Sequence, residues 1–140
     1  MRKGEKTRQE IIRRGAPVFN QRGYDGAALS DLMKATGLEK GAIYRHFDSK
    51  EQLAVEAFDY AWRETLRARI HDLDTIPNTV DRLKRLVANF VERRGIVSGG
   101  CPLLSTAVDT ADGNSVLRER ARKALRGWSD PASTPTSWPL

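Results

Sequence analysis

Apolar residues recur at helical spacing along most of the chain. Ile12, Ala16 and Phe19, for example, lie at i, i+4 and i+7, which places them on one face of a helix. Pro17 interrupts this first helix, and we expect a kink near Arg13 because proline removes a backbone donor. No segment alternates as a strand does, so the pattern predicts an all-α fold. The predicted helices span residues 5–22, 29–36, 40–47, 50–71, 77–94, 102–111 and 115–126.

The helix boundaries carry their own signals. Gly37 is typical of the glycine that ends a helix. The long helix that starts near residue 50 has two candidate caps, because Asp48 with Glu51, or Ser49 with Gln52, can form a capping box. After residue 126 the character changes: residues 127–140 contain three of the six prolines and no Lys or Arg. This last segment is predicted to be irregular.

Positive charge is concentrated at the start of the chain. The net charge is +6, and residues 1–50 alone carry eleven Lys or Arg against six Asp or Glu, a net +5. Such a surface either binds a polyanion or is simply solvated, and charge alone leaves both alternatives open.

Several classes of protein are excluded by the residues that are scarce. Cys101 is the single cysteine, and His46 and His71 are the only histidines, which argues against a disulfide framework or a metal site. No apolar run approaches the roughly 20 residues that cross a bilayer. We find no Ser/His/Asp set and no phosphate-binding glycine loop, so we expect no enzyme and no cofactor, and a cytoplasmic location.

The two short helices around Gly37 form a helix-turn-helix pattern. In residues 40–47, Ile43 and Phe47 are at i and i+4 and are predicted to face the core. The remaining positions are free to meet the major groove of DNA, where small residues let the backbone approach and Lys or Arg reach guanine edges. These positions are Lys40, Gly41, Ala42, Tyr44, Arg45 and His46.

The residues in and around this pattern resemble the signature of TetR-family transcriptional regulators over about residues 6–62. The most specific part is Tyr-x-His-Phe-x-x-Lys-Glu-x-Leu, which follows the turn. The matching residues are Gly23, Tyr24, Leu32, Gly37, Leu38, Gly41, Ile43, Tyr44, His46, Phe47, Lys50, Glu51, Gln52 and Leu53.

The resemblance implies a role for each candidate residue. Four would face the groove, and Tyr44, His46 and Lys50 would contact backbone phosphates, Lys50 with help from the positive end of its helix. Tyr44 as a packing aromatic, and His46 as a satisfied core histidine, are the alternatives. Where the family has a hydroxyl cap before the first short helix, this chain has Ala27–Ala28, so Ser30 is the candidate for that phosphate contact. The groove-facing residues are Lys40, Gly41, Ala42 and Arg45.

The second half of the chain is predicted to hold the effector site. The segment 100–104, with the turn at 112–114, resembles the ligand-binding half of one branch of the family. The alternative for each candidate lining residue is a plain core position. No basic residue lies near Cys101 in sequence, so we interpret it as a buried, unreactive thiol. The candidate lining residues are Phe58, Trp62, Phe90, Leu103 and Leu104.

We therefore predict a helix-turn-helix domain in 1–50, a connecting helix with a partial regulatory domain in 51–126, and a tail in 127–140. The expected function is a DNA-binding repressor that responds to a small apolar or amphipathic ligand. The alternative is a truncated or frameshifted regulator that folds but dimerises poorly and binds DNA weakly.

The family implies a homodimer, which we expect to be weak here, because 102–126 offers two short helices whose apolar faces the core needs. Any contact would use 102–128, near Trp128.

Overall fold

The computed structural model of the chain describes residues 2–93 and 97–129, with side chains as far as Gly127. The predicted tail from residue 130 onward, and the side chain of Trp128, lie outside these described residues. Within them the chain is helical, with a short 3-10 turn at Leu73–Thr75, and the all-α prediction is confirmed. The helices are α1 Lys3–Gly26, α2 Leu29–Thr36, α3 Lys40–Ile43, α4 Lys50–Arg69, α5 Thr79–Glu92, α6 Pro102–Asp109 and α7 Ser115–Ser129.

Helix α1 is longer than predicted, and its interruption lies elsewhere. The backbone keeps helical dihedral angles through Pro17 and departs from them at Gly23, where φ is 75° and ψ is 174°. Because Arg13 is exposed, water can satisfy the carbonyl group that loses its partner at Pro17. The change of direction therefore falls at Gly23 rather than near Arg13, and it turns the chain toward α2.

Helix α3 is shorter than the predicted 40–47 segment. It ends at Ile43, and the chain continues in turns: the N–H of Arg45 donates to Gly41 O at 3.1 Å, and that of His46 to Ile43 O at 3.0 Å. The tighter second turn directs Phe47 into the core, where it is 1% exposed. Tertiary packing of Phe47 thus replaces the last helical turn that the sequence pattern indicated.

The cap of α4 is Ser49, which resolves the two alternatives. Its Oγ accepts a hydrogen bond from the N–H of Gln52 at 3.0 Å. The Gln52 side chain reaches back one residue further than in a standard capping box, and its Oε1 accepts from the N–H of Asp48 at 2.6 Å. The start of α4 is therefore fixed on both sides of the cap.

Two apolar clusters meet at α4. The first fills the space beneath the helix-turn-helix, and the second joins α4 to α6 and α7. Burying a large apolar side chain contributes about 1.5–3 kcal/mol, so each cluster holds its helices firmly to α4. The first cluster contains Ile11, Ile12, Leu32, Ile43, Phe47 and Leu53, and the second Ala54, Phe58, Trp62, Leu66, Leu103, Leu117 and Ala121.

Helix α5 keeps much of its apolar face exposed. Its apolar face has the clearest helical spacing in the chain, yet Leu83 is 61% exposed and Val91 72% exposed. The buried residue of α5 is instead Asn89, whose Nδ2 donates to the backbone oxygens of Arg69 and His71 at 3.0 and 3.1 Å. Amphipathic spacing identifies a face that can be buried, and α5 docks on the end of α4 through a polar contact.

Helices α6 and α7 also keep apolar residues outside the core. Leu104 and Val108 of α6 are 62% and 79% exposed, so the expectation that the core consumes the apolar faces of 102–126 is wrong for these residues. Helix α7 runs to Ser129, three residues past the predicted end at Arg126. The extension is possible because the next proline in the sequence is Pro131, beyond the observed end.

Asp109, the last residue of α6, holds the end of α1. Its Oδ2 accepts from the N–H of Tyr24 at 3.0 Å, directly after the turn at Gly23. A Cβ atom at Gly23 would lie 2.4 Å from Asp109 Oδ1. Glycine is therefore favoured at this position by its dihedral angles, and a larger residue would also have to displace the Asp109 carboxylate.

The cap of α2 yields a stability prediction. Asp31 Oδ2 accepts from the N–H of Ala28 at 3.0 Å, but the methyl group of Ala28 accepts nothing in return. We expect Ala28→Ser to raise the free energy of unfolding by about 0.5–2 kcal/mol, measured by denaturant titration. Ser49→Ala is the matched reverse change and should lower it by a similar amount. An Ala28→Ser variant no more stable than the parent would contradict the capping argument.

The turn at Gly23 yields a second prediction. Gly37→Ala should cost about 1–2 kcal/mol, because φ is 71° there and no atom crowds the new Cβ. Gly23→Ala should cost clearly more, because the Cβ also meets Asp109. Adding Asp109→Ala should recover part of the loss at Gly23 and none at Gly37. Equal costs for the two glycine variants in chemical unfolding would show that the Asp109 contact does not constrain Gly23.

Candidate nucleic-acid interface

The α3 segment presents one buried and one exposed side. Ile43 is 0% exposed and packs with Phe47 in the first cluster, as the sequence predicted. Lys40, Gly41 and Arg45 lie on the exposed side of the same segment. Because the buried side is fixed to the core, the exposed side is a rigid surface of two cations flanking a glycine.

Small residues keep this surface open. Apart from the backbone of its own helix and its two chain neighbours, no described residue has an atom within 4 Å of the position that a Cβ on Gly41 would take, and Ala42 beside it is half-buried. A groove edge can therefore approach the backbone of α3 closely, while Lys40 and Arg45 extend past it as hydrogen-bond donors.

Tyr44, His46 and Ser30 are the remaining candidates in this region. Tyr44 and His46 are half-buried, neither fully in the core nor fully exposed. The ring of His46 lies beside the first turn of α1, 4.0 Å from where a Cβ on Gly4 would stand. Ser30 is exposed in the first turn of α2. None of the three is buried in the core.

Lys50 begins α4 and is oriented by an aromatic ring. Its Nζ lies 4.6 Å from the centroid of Tyr24, a cation–π distance. Burial raises the pKa of the Tyr24 phenol, with a further contribution from the charge of Glu51, so the ring under Lys50 is neutral at pH 7. The ammonium group is thus held beside the N-terminus of α4, where the helix dipole also favours an anion.

Arg8 of α1 contacts the end of the α3 segment and α4. Its guanidinium lies 4.6 Å from the centroid of the Phe47 ring and pairs with Glu56 of α4 at 2.5 Å. The hydrogen bond to Glu56 raises the pKa of Arg8, against the opposing effect of burial. One side chain thereby joins α1, the end of the α3 segment and α4.

A second feature, an apolar cavity of about 400 Å³, lies between α4, α5, α6 and α7. The structure brings Trp62, Phe90, Leu103 and Leu104 together around it. Phe58 does not reach this cavity and lines a different depression near Gly23. Trp62 and Leu103 are buried in the second cluster as well, so they serve both as core and as cavity wall.

Sequence reasoning missed the polar residues of the cavity. Cys101 is half-buried rather than buried, and the Nη1 of Arg69 donates to its Sγ at 3.5 Å, although 32 residues separate the two. Arg118 and Arg122 of α7 line the same cavity. No local signal could have identified this group, because it is assembled from three helices.

Polar contacts connect the two halves of the chain. Arg120 of α7 donates to both carboxylate oxygens of Asp59 at 2.7 and 2.6 Å, and Asn114 Nδ2 donates to Glu51 Oε2 at 2.8 Å. The hydrogen bond to Asp59 raises the pKa of Arg120, which therefore stays charged. Both acceptors belong to α4, the helix that begins with Lys50.

The described part of the chain offers no obvious place for a metal or a membrane span. Among residues 2–93 and 97–129, no three His, Cys, Asp or Glu side chains are grouped so that they could hold a metal ion. None of the helices in these ranges combines the length and apolar character that crossing a bilayer requires.

Comparisons with known proteins agree with this geometry. Residues 11–57 match the family profile described as bacterial regulatory proteins, tetR family, and residues 79–133 match that of the tetracyclin repressor-like C-terminal domain. The chain is similar to a TetR transcriptional regulator from Chloroflexus aurantiacus J-10-FL, whose crystal structure it matches with a TM-score of 0.82 and 46% identity, over 91% of this chain and 66% of that one.

Two curated relatives extend the match along the sequence. The HTH-type transcriptional repressor DhaR of Mycobacterium sp. (strain GP1) is 28% identical over 89% of this chain and 62% of its own length. The HTH-type transcriptional regulator LmrA of Bacillus subtilis (strain 168) is 31% identical over 88% of this chain and 67% of its own. The chain thus spans about two thirds of the length of these relatives. On the motif, the fold and these matches together, the chain belongs to the TetR family of bacterial regulatory proteins.

Proposed function

We propose that the chain is a DNA-binding transcriptional regulator that acts in the cytoplasm as a ligand-responsive repressor. The observation that carries the proposal is the two-sided α3 segment, in which Ile43 and Phe47 are buried while Lys40, Gly41 and Arg45 face outward. A rigid surface of this kind fits the major groove of double-stranded DNA.

The candidates divide into two roles. Lys40, Arg45 and the backbone at Gly41 and Ala42 read base edges, since Lys40, Gly41 and Arg45 are exposed and Ala42 carries only a methyl group. Tyr44, His46, Lys50 and Ser30 contact phosphates: Tyr44 and His46 are half-buried beside Arg45, Lys50 begins α4, and Ser30 is exposed in the first turn of α2. Lys50 lies at the N-terminus of α4, which attracts anions such as phosphate, and this position supports its assignment to the phosphate contacts. Phosphate contacts position a protein on DNA without reading its sequence.

Release of the operator follows from the position of the cavity. Trp62 belongs to α4, and a ligand that moves it moves the same helix that carries Lys50 at its other end. Asp109 of α6 holds the end of α1, and Arg120 of α7 holds Asp59 of α4. A ligand that favours a different arrangement of α4, α6 and α7 would shift the population away from the DNA-binding state.

The division of roles can be tested with selected DNA sequences and fluorescence anisotropy. Lys40→Ala or Arg45→Ala should cost about 1–3 kcal/mol on the preferred site and little on other sequences. Lys50→Ala and His46→Ala should weaken binding to all sequences alike, and Lys50→Ala should reduce the slope of log affinity against log salt by about one.

Lys123→Ala is the matched control, because Lys123 is exposed on α7 outside the proposed interface. It should leave both affinity and salt slope unchanged. Loss of sequence discrimination in Lys50→Ala, with discrimination retained in Arg45→Ala, would reverse the proposed roles. No detectable binding to any duplex would reject the proposed function.

The exposed apolar residues predict weak self-association of the isolated chain. Val91 on α5 and Val108 on α6 are 72% and 79% exposed. We expect light scattering to show a concentration-dependent mixture rather than a tight dimer, and Val91→Lys with Val108→Lys to shift it toward monomer. Glu92→Lys is the control, since it adds positive charge without removing apolar surface. A monodisperse dimer unaffected by these changes would contradict the prediction.

A further inference from the structure

The cavity between α4, α5, α6 and α7 has apolar walls and a positively charged rim. Its volume of about 400 Å³ falls within the range of small-molecule sites, about 300–1,000 Å³. The walls include Trp62, Leu103, Ala107 and Ala121, which can accommodate a hydrocarbon chain or an aromatic ring. These walls alone would accept any apolar molecule of suitable size, so selectivity must come from the rim.

Every charged residue that lines the cavity is an arginine. Arg69, Arg118 and Arg122 contribute to the lining, and no Asp or Glu does so among the described residues. Arg122 is paired with Glu119 at 2.9 Å, which leaves two arginines to consider. Within residues 2–93 and 97–129, neither Arg69 nor Arg118 has a carboxylate at ion-pair distance, although Arg118 Nη1 donates to the Ala111 carbonyl at 3.1 Å.

Arg69 is the better placed of the two. Its guanidinium is stacked over the ring of Phe90, 4.0 Å from the centroid, and its Nη1 is 3.5 Å from Cys101 Sγ. These contacts hold the group at the edge of the apolar wall, half-buried and partly removed from water. A cation in this position gains most from an anionic partner, because a guanidinium can donate two parallel hydrogen bonds to a carboxylate.

We propose that the cavity binds an amphipathic organic acid, with the carboxylate on Arg69 and the apolar body along Trp62 and Leu103. The inference rests on the proposed function in so far as it treats this cavity as the effector site, and it narrows the effector to an anion. A neutral molecule of the same shape gains only the apolar contacts, and an organic cation is repelled by the arginines. The competing interpretation is that water solvates the arginines, in which case head-group charge has no effect on affinity.

Three probes with the same hydrocarbon chain separate these interpretations: decanoate, decan-1-ol and decyltrimethylammonium. Each is titrated into the full chain, the two ions below their micelle concentrations and the alcohol below its solubility limit, with displacement of the neutral dye N-phenyl-1-naphthylamine as the readout. We expect decanoate to bind at least about tenfold more tightly than the alcohol, which corresponds to one charge-assisted contact. The ammonium compound should bind more weakly than the alcohol.

The variant Arg69→Gln should reduce the preference for decanoate over decan-1-ol to within about twofold, while the affinity for the alcohol is retained. Arg67→Gln is the matched control, because Arg67 is exposed two residues away and paired with Glu64 at 3.2 Å. It should preserve the full preference. Arg69→Lys keeps the charge without the planar fork and should give an intermediate preference.

Equal affinity for the acid and the alcohol in the parent chain would overturn the inference, as would an Arg69→Gln variant that loses both equally while remaining folded by circular dichroism. If Arg69→Gln does not fold, the parent chain still decides: its preference for decanoate must shrink as salt is raised. All these titrations contain no DNA. Failure to bind DNA would therefore reject the proposed function and the effector role while leaving the preference of the cavity for an organic acid standing, and loss of that preference would leave the DNA-binding proposal standing.

Discussion

The burial of α4 on two sides at once is the constraint on which the rest of the structure depends. Leu53, near its beginning, completes the cluster beneath the helix-turn-helix, whereas Phe58 and Trp62 belong to the cluster shared with α6 and α7. Neither half can change its packing without acting on this helix. A protein whose proposed DNA contact, Lys50, shares one rigid helix with the cavity wall has a direct physical route between the two sites.

Polar contacts make this route specific. Surface ion pairs such as that of Arg120 with Asp59 contribute little to stability, about 0–1 kcal/mol, but their geometry fixes how α7 sits on α4. Asp109 does the same for α6 and the end of α1, where the dihedral angles of Gly23 favour glycine and a larger side chain would also have to displace the carboxylate. Apolar burial thus supplies most of the free energy that joins the two halves, and the hydrogen bonds fix how the halves are oriented.

The arginines of the cavity illustrate a different consequence of packing. Arg69 ends α4, and Arg118 and Arg122 lie on the basic helix α7. From the sequence alone, all three would be predicted to be ordinary solvent-exposed charges. The fold places them around apolar walls, and none of the described lining residues is acidic. The electrostatic character of the site is therefore a property of the helix arrangement, and composition alone would not reveal it.

The sequence by itself determined the local elements and the helix-turn-helix, because those depend on spacing within a few residues. Spacing placed Ile43 and Phe47 inside and Lys40 and Arg45 outside, and Gly37 marked the end of α2. The end of α3 escaped prediction because it is set by where Phe47 packs. How far each apolar face is buried could not be predicted either. Helix α5 has helical periodicity, yet periodicity does not say whether a partner covers the face.

The cavity shows the same limit. Trp62, Phe90, Leu103 and Leu104 could be nominated as large apolar residues, but Phe58 fits that description equally and lies elsewhere. Arg69 next to Cys101, and Asp109 against Gly23, join residues far apart in the chain. Only the tertiary structure decided these contacts, because they depend on how whole helices cross, and no local pattern encodes the distance between two helices.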